Sequence, residues 1–283
     1  MKTVLLRGGE SVPALGLGTW RMGESSRKRR TEVAAVSEAI QLGYRLFDTA
    51  EMYGEGGAET VLGEALHGAI TAGEVKREEL FVVSKVYPHN ASRRGTMAAC
   101  DRSLKRLRLD AIDLYLLHWR GAHPLAETVD AFHILKDQGR IRHCGVSNFD
   151  VDDMRELWSV PGGPACAANQ VWYSLTQRGV EFSLSSWLRE HGVVLMAYSP
   201  IDQAALARHA ALEGIARRLG ASAATVALAW LVHQGALAIP KAVTSEHLRD
   251  NHAALTLELD ALALRDIDAA FAPPRAPTAL AIN

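Results

Sequence analysis

Four side chains suited to moving a proton occur in order in the first half of the chain: Asp48, Tyr53, Lys85 and His118. A phenol is a poor acid near neutrality, with an unperturbed pKa of about 10. A nearby ammonium stabilises the phenolate and makes the hydroxyl a better donor. Lys85 can supply that charge, and Asp48 can fix the lysine through an ion pair. His118 can hydrogen-bond the oxygen that receives the proton. Each residue also has a plainer reading. Asp48 suits a helix N-cap, Lys85 a solvated strand end, His118 a hydrogen-bonded strand-end histidine, and Tyr53 simple packing between Met52 and Gly54. What favours acid catalysis is that all four follow consecutive apolar runs. Further polar groups recur at similar spacing: Ser147-Asn148, Asn169-Gln170, Tyr198-Ser199 and Lys241.

The elements that must position these groups are short. Apolar runs at residues 15–18, 46–47, 80–83, 112–117, 141–146, 166–168, 193–197 and 236–239 read as buried parallel strands. Between them lie helical periods: Val33, Val36 and Ile40 before Gly43, Leu104 and Leu107 before Arg108, Phe132 and Leu135 before Gly139. Strands alternating with helices predict an α/β fold, a (β/α)8 TIM barrel, with the polar residues ringing the mouth where strands end. Residues 3–6, Gly8-Gly9 and Val12 predict an N-terminal β-hairpin ahead of it. The rival is an open doubly wound sheet, whose nucleotide fingerprint is G-x-G-x-x-G. The best match begins at Gly16 and Gly18 and fails at Arg21, which favours the barrel.

Composition is consistent with a single domain over residues 1–283, with 48% hydrophobic residues to fill a core. The formal net charge of -1 gives no reason to expect nucleic acid or an anionic membrane as partner. Cys100, Cys144 and Cys166 form neither a disulfide framework nor a zinc pattern. With no apolar run near the ~20 residues of a membrane helix, and no signal-like N-terminus, a cytoplasmic location is expected.

The sequence resembles the aldo-keto reductase superfamily. The resemblance lies in residues 43–50 (GYRLFDTA), Tyr53, Val83-Ser84-Lys85-Val86, Leu116-Leu117-His118-Trp119, Gly145-Val146-Ser147-Asn148-Phe149, Asn169-Gln170, Ala197-Tyr198-Ser199-Pro200 and Ile239-Pro240-Lys241. The motifs run in family order along nearly the whole chain. The runs at residues 48–54 and 238–242 are most similar to bacterial methylglyoxal-reducing members.

The resemblance implies NADPH-dependent reduction of small carbonyl compounds, with Asp48, Tyr53, Lys85 and His118 as a catalytic tetrad and Tyr53 as general acid. It places the nicotinamide carboxamide against Ser147, Asn148 and Gln170, and the ring against Tyr198. Thr19 would touch the cofactor, Trp20 and Asp48 would lie beside it, and Ser199, Pro200 and Ile201 would carry the pyrophosphate. The adenosine end would fall between Lys241 and Asn251, with His247 and Asp250 in that segment and a helix starting at Thr244 or Ser245. Trp20, Tyr87 and Trp119 would line the substrate pocket beside Tyr53 and His118. Small α-ketoaldehydes, such as methylglyoxal, and aromatic aldehydes are the expected substrates, and the protein is expected to be a monomer or weak oligomer.

Three features depart from the family pattern. Ala242 and His247 stand where relatives usually carry Ser and Arg, which weakens the case for strict NADPH use and leaves NADH as second choice. The insert Gly54-Glu55-Gly56-Gly57 predicts a longer, more flexible loop after Tyr53. The short tail after Phe271 predicts an open mouth, with Arg249 a further candidate for the adenosine phosphate. The other readings are a Schiff-base lyase using Lys85 or Lys241, a cofactor-sensing binding module, and a metal-assisted hydrolase built on His118, His123, His133 and His143. The last lacks matched ligand spacing.

Overall fold

Each apolar run becomes a strand of one sheet. A computed structural model of the chain describes residues 2–202, 206 and 209–282. The strands β1 (Thr3–Leu5) and β2 (Ser11–Pro13) form the antiparallel hairpin, with Val4 opposite Val12. There follow β3 (Leu17–Gly18), β4 (Leu46–Asp48), β5 (Phe81–Val86), β6 (Ile112–Leu117), β7 (Ile141–Ser147), β8 (Ala168–Trp172), β9 (Val194–Tyr198) and β10 (Leu237–Ala238). These pair in parallel, each with the next in sequence. The sheet closes on itself: Gly16 N donates to the Ala238 carbonyl at 2.8 Å, and Gly18 N to the Pro240 carbonyl at 2.9 Å. The result is the (β/α)8 barrel.

The outer layer comprises α1 (Arg29–Gln41), α2 (Gly57–Thr71), α3 (Arg93–Leu107), α4 (Leu125–Asp137), α5 (Val151–Ser159), α6 (Leu184–Glu190), α7 (Ala210–Leu219), α8 (Ala223–His233), α9 (Ser245–Ala253) and α10 (Ala261–Ala270). Side-chain oxygens start several of these. Ser92 accepts from Gly95 N, Asp150 from Asp153 N and Thr244 from His247 N. Among the described residues, no single helix is long and apolar enough to cross a membrane.

Two cores result from the two-residue period of a strand. Val82, Val86, Tyr115 and Leu117 point outward and pack with helix residues such as Leu62, Leu66 and Trp230. Leu46, Phe81, Val83, Leu114, Leu116, Met196, Leu237 and Ile239 fill the barrel interior, and Leu6 and Val12 of the hairpin join them. Advancing two residues from an interior apolar side chain leads to a polar or aromatic one nearer the mouth: Leu46 to Asp48, Val83 to Lys85, Leu116 to His118, Met196 to Tyr198, Ile239 to Lys241. The interior is therefore an oily plug capped by functional groups.

Strand bounds differ from the sequence expectation where those groups begin. The third barrel strand runs to Val86, so Ser84 and Lys85 lie within it, both fully buried. The sixth starts at Ala168 and contains Asn169 and Gln170. An apolar run stops where polar side chains turn into the mouth, and the backbone ladder continues past that point.

Candidate active site

At the mouth, Asp48 ends β4 and the chain turns through a 3-10 segment at Tyr53–Gly56 into α2. Gly54, Glu55 and Gly56 have φ of 56°, 53° and 88°. This left-handed path strongly favours glycine. In place of a loose loop, the insert is a compact turn packed on the segment after β3. A Cβ at Gly57 would sit 2.4 Å from the Gly23 carbonyl oxygen. That close approach holds Tyr53 over the barrel.

Beneath Tyr53, Lys85 Nζ donates to Asp48 Oδ1 at 2.6 Å, to the Thr49 carbonyl at 2.9 Å and to the Tyr53 hydroxyl at 3.2 Å. The ammonium also lies 4.8 Å from the Tyr53 ring centroid. Gln170 Nε2 donates to Asp48 Oδ2 at 2.7 Å, so both carboxylate oxygens are engaged. Lys85 is fully buried, and despite burial its ammonium is held above the ordinary range by Asp48 and Tyr53. Burial lifts the Asp48 carboxyl, and Lys85 and Gln170 pull it back. With its contacts committed and its charge retained, Lys85 does not suit a Schiff-base role, which needs an accessible neutral amine.

Burial also raises the Tyr53 phenol above its ordinary value, outweighing the Lys85 ammonium. The lowering expected from the ammonium is therefore overturned by desolvation. The net result is a hydroxyl that keeps its proton at neutral pH, next to a cation able to stabilise an oxyanion at that position. The His118 and Tyr53 rings meet edge to face at 5.8 Å. Burial, then Lys85, holds the imidazole well below its usual range, so it is neutral at pH 7. Its Nδ1 is buried without a hydrogen-bond partner among the described residues.

A cavity of about 670 Å³ opens over these groups. Asp48, Tyr53, His118, Trp20, Trp119, Ser147, Asn148, Gln170 and Tyr198 line one part, and Ser199, Pro200, Ile201, Lys241, His247, Asp250 and Asn251 continue the lining. Asn148, with φ of 59°, joins several of them. Its Nδ2 donates to the His118 carbonyl at 3.1 Å and Ser147 Oγ at 3.2 Å, while Tyr198 OH donates to its Oδ1 at 2.9 Å. Ser147 Oγ donates to the Gln170 carbonyl at 2.8 Å.

Four expected site residues lie outside that lining. Lys85 sits under the floor. Thr19 is fully buried, with its hydroxyl turned to the Asp48 carbonyl at 3.0 Å. Tyr87 stands behind Trp119 with ring centroids 5.2 Å apart, supporting the wall rather than forming it. Arg249 turns to Glu38, also away from the cavity. The lining includes residues the sequence reading passed over: Arg21, Met52, Ala224 and Ile282. Arg21 appeared there only as the residue that broke a glycine fingerprint. It is left-handed, with its guanidinium 4.6 Å from the Trp20 ring centroid. A cation next to a mouth tryptophan was a usable signal. Ile282 had none, and it brings the tail to the mouth that the tail's shortness had predicted to be open.

Comparison with known proteins agrees with this geometry. The family model described as "Aldo/keto reductase family" matches residues 14–272. The chain is 48% identical to methylglyoxal reductase YeaE of Escherichia coli over 99% of its own length and 98% of that protein's. It is 35% identical to glyoxal reductase of Bacillus subtilis, covering 94% of this chain and 92% of that one. Its fold matches a Klebsiella pneumoniae aldo/keto reductase crystallised with NADP and acetate, with TM-score 0.94, 43% identity and coverage of 100% and 99%. With its barrel closed, its Asp–Tyr–Lys cluster assembled at the mouth and this similarity over nearly its whole length, the chain belongs to the aldo/keto reductase family.

Proposed function

We propose that the protein reduces small aldehydes and α-ketoaldehydes, methylglyoxal and aromatic aldehydes among them, to alcohols with NADPH, acting as a single 283-residue cytoplasmic domain. The observation that carries this is the Tyr53 hydroxyl, 3.2 Å from a buried ammonium, at one end of a cavity that extends to Lys241 and His247. The relatives named for methylglyoxal and glyoxal reduction support the substrate class, and the Klebsiella structure supports the cofactor.

The lining fits a dinucleotide. At one end are amide groups for a carboxamide and the Tyr198 ring for a flat heterocycle. At the other, Lys241 and the start of α9 suit a phosphate. Between them Gly18 approaches the opposite strand so closely that a Cβ would lie 2.8 Å from the Ile239 carbonyl oxygen. When bound, the reduced nicotinamide supplies hydride. Tyr53 donates its proton to the carbonyl oxygen, and Lys85 stabilises the phenolate that remains. Neutral His118 orients that oxygen by a hydrogen bond, and Asp48, braced by Gln170, holds Lys85. Trp20 and Trp119 exclude water from the reacting carbonyl. Without Arg at position 247, the adenosine phosphate rests on Lys241 and His247, and NADH is the second-choice cofactor.

The test is Tyr53→Phe assayed on methylglyoxal and substituted benzaldehydes with NADPH and then NADH. NADPH binding should persist while turnover falls by about 10²–10⁴, the usual worth of general acid catalysis. Near-normal turnover in the variant, or a wild-type preference for NADH, would overturn the corresponding part of the proposal.

A further inference from the structure

Glu51 lies between Asp48 and Tyr53 and is buried, a costly place for a carboxylate without a reason. Its surroundings supply that reason. The segment after β4 continues to run beside β5, with Thr49 N donating to the Val83 carbonyl at 2.9 Å and Glu51 N lying 3.4 Å from the Lys85 carbonyl. In a parallel ladder the next bond would join Tyr87 N to the Glu51 carbonyl. Here the main chain leaves the ladder to make the turn that carries Tyr53. The Glu51 side chain takes over, its Oε1 accepting from Tyr87 N at 2.7 Å and from Asn90 Nδ2 at 3.0 Å. Its Oε2 accepts from Arg102 of α3 at 3.1 Å, a half-exposed arginine that balances the buried charge.

We propose that Glu51 is a positioning residue of the reductase: its carboxylate stands in for a ladder carbonyl, letting the backbone depart toward Tyr53 while the strand carrying Lys85 stays in register. The same bond fixes Tyr87, which backs Trp119, itself 4.9 Å from the His118 ring. One side chain thus sets both the Tyr53–Lys85 contact and the aromatic wall. The proposal rests on Tyr53 being the proton donor.

The test compares Glu51→Asp, which keeps the charge but is one methylene too short to reach, with Glu51→Gln, which keeps the reach and an acceptor oxygen. Glu51→Ala is the third variant, and the Asp–Gln pair decides the matter if it does not fold. Single-turnover reduction of methylglyoxal should slow by about tenfold or more in Glu51→Asp, since ångström-scale misplacement carries costs of that order. A loosened Lys85 contact raises the Tyr53 pKa, so the alkaline limb of the rate profile should move to higher pH. NADPH affinity should stay within about twofold, and Glu51→Gln should restore rate and limb to within about threefold. Wild-type rate and limb in Glu51→Asp would overturn the proposal, as would an equal loss in Glu51→Gln or a slower rate with an unmoved limb. Tyr53→Phe run in parallel separates the two readings. If that variant turns over normally, the proton-donor assignment fails. If it is inactive while Glu51→Asp is normal, only the role of Glu51 fails.

Discussion

Replacing Lys85 by Met removes the charge under Tyr53 while keeping much of the side-chain volume. At the observed 3.2 Å, an ammonium stabilises a phenolate by about 5 kcal/mol for an effective dielectric constant of ~20. The Asp48 carboxylate lies 2.6 Å from the same ammonium and offsets roughly half of this, leaving about 2–3 kcal/mol from the pair. In Lys85→Met, Asp48 keeps only the Gln170 donor and takes up a proton, so the field of the whole pair disappears. The chemical step should slow by roughly 30- to 150-fold. In the proposed mechanism Tyr53 must be protonated to act, so its pKa governs the alkaline limb of the pH–rate profile. That limb should move to higher pH, because the cation that favours the phenolate is gone. Single-turnover kinetics is the assay of choice, because steady-state rates also report product release. NADPH binding and thermal melting serve as controls. A folded, cofactor-binding Lys85→Met with unchanged single-turnover rate and limb would refute the electrostatic argument.

Three other perturbations follow from the same geometry. His118 is held neutral by burial, so the unfolded chain binds its proton more readily; the stability this gives is full above about pH 6.5 and is lost as pH falls below that value. Melting temperature should therefore drop less steeply between about pH 6.5 and 5 in His118→Asn than in the wild type. Parallel curves would count against the buried neutral imidazole. Gly57→Ala drives a methyl into the Gly23 backbone and should cost about 1–3 kcal/mol in urea denaturation, with a loss of turnover because the Tyr53 turn shifts. An unaffected midpoint would mean that the two segments part easily. Gln170→Leu strips one donor from a buried carboxylate, and should lower stability at pH 7 by about 1–3 kcal/mol. A variant as stable as the wild type at neutral pH would show that Asp48 needs no second donor.

The chain by itself indicated which residues gather at the mouth and which fold carries them. Asp48, Lys85, His118, Tyr198 and Lys241 each follow interior apolar residues at the two-residue period of a strand, and that local signal survives in sequence. It also determined the hairpin and the absence of a glycine fingerprint. Tertiary structure decided what each group faces. Only closure of the sheet brings Gln170 to Asp48, 122 positions away in sequence, and makes Lys85 a buried floor rather than a solvated strand end. Only packing turns Thr19 and Tyr87 away from the cavity while bringing Arg21 and Ile282 into its wall. Even the direction of the Tyr53 pKa depended on it. The sequence supplies the ammonium, but the desolvation that outweighs it comes from chain segments that meet only after folding.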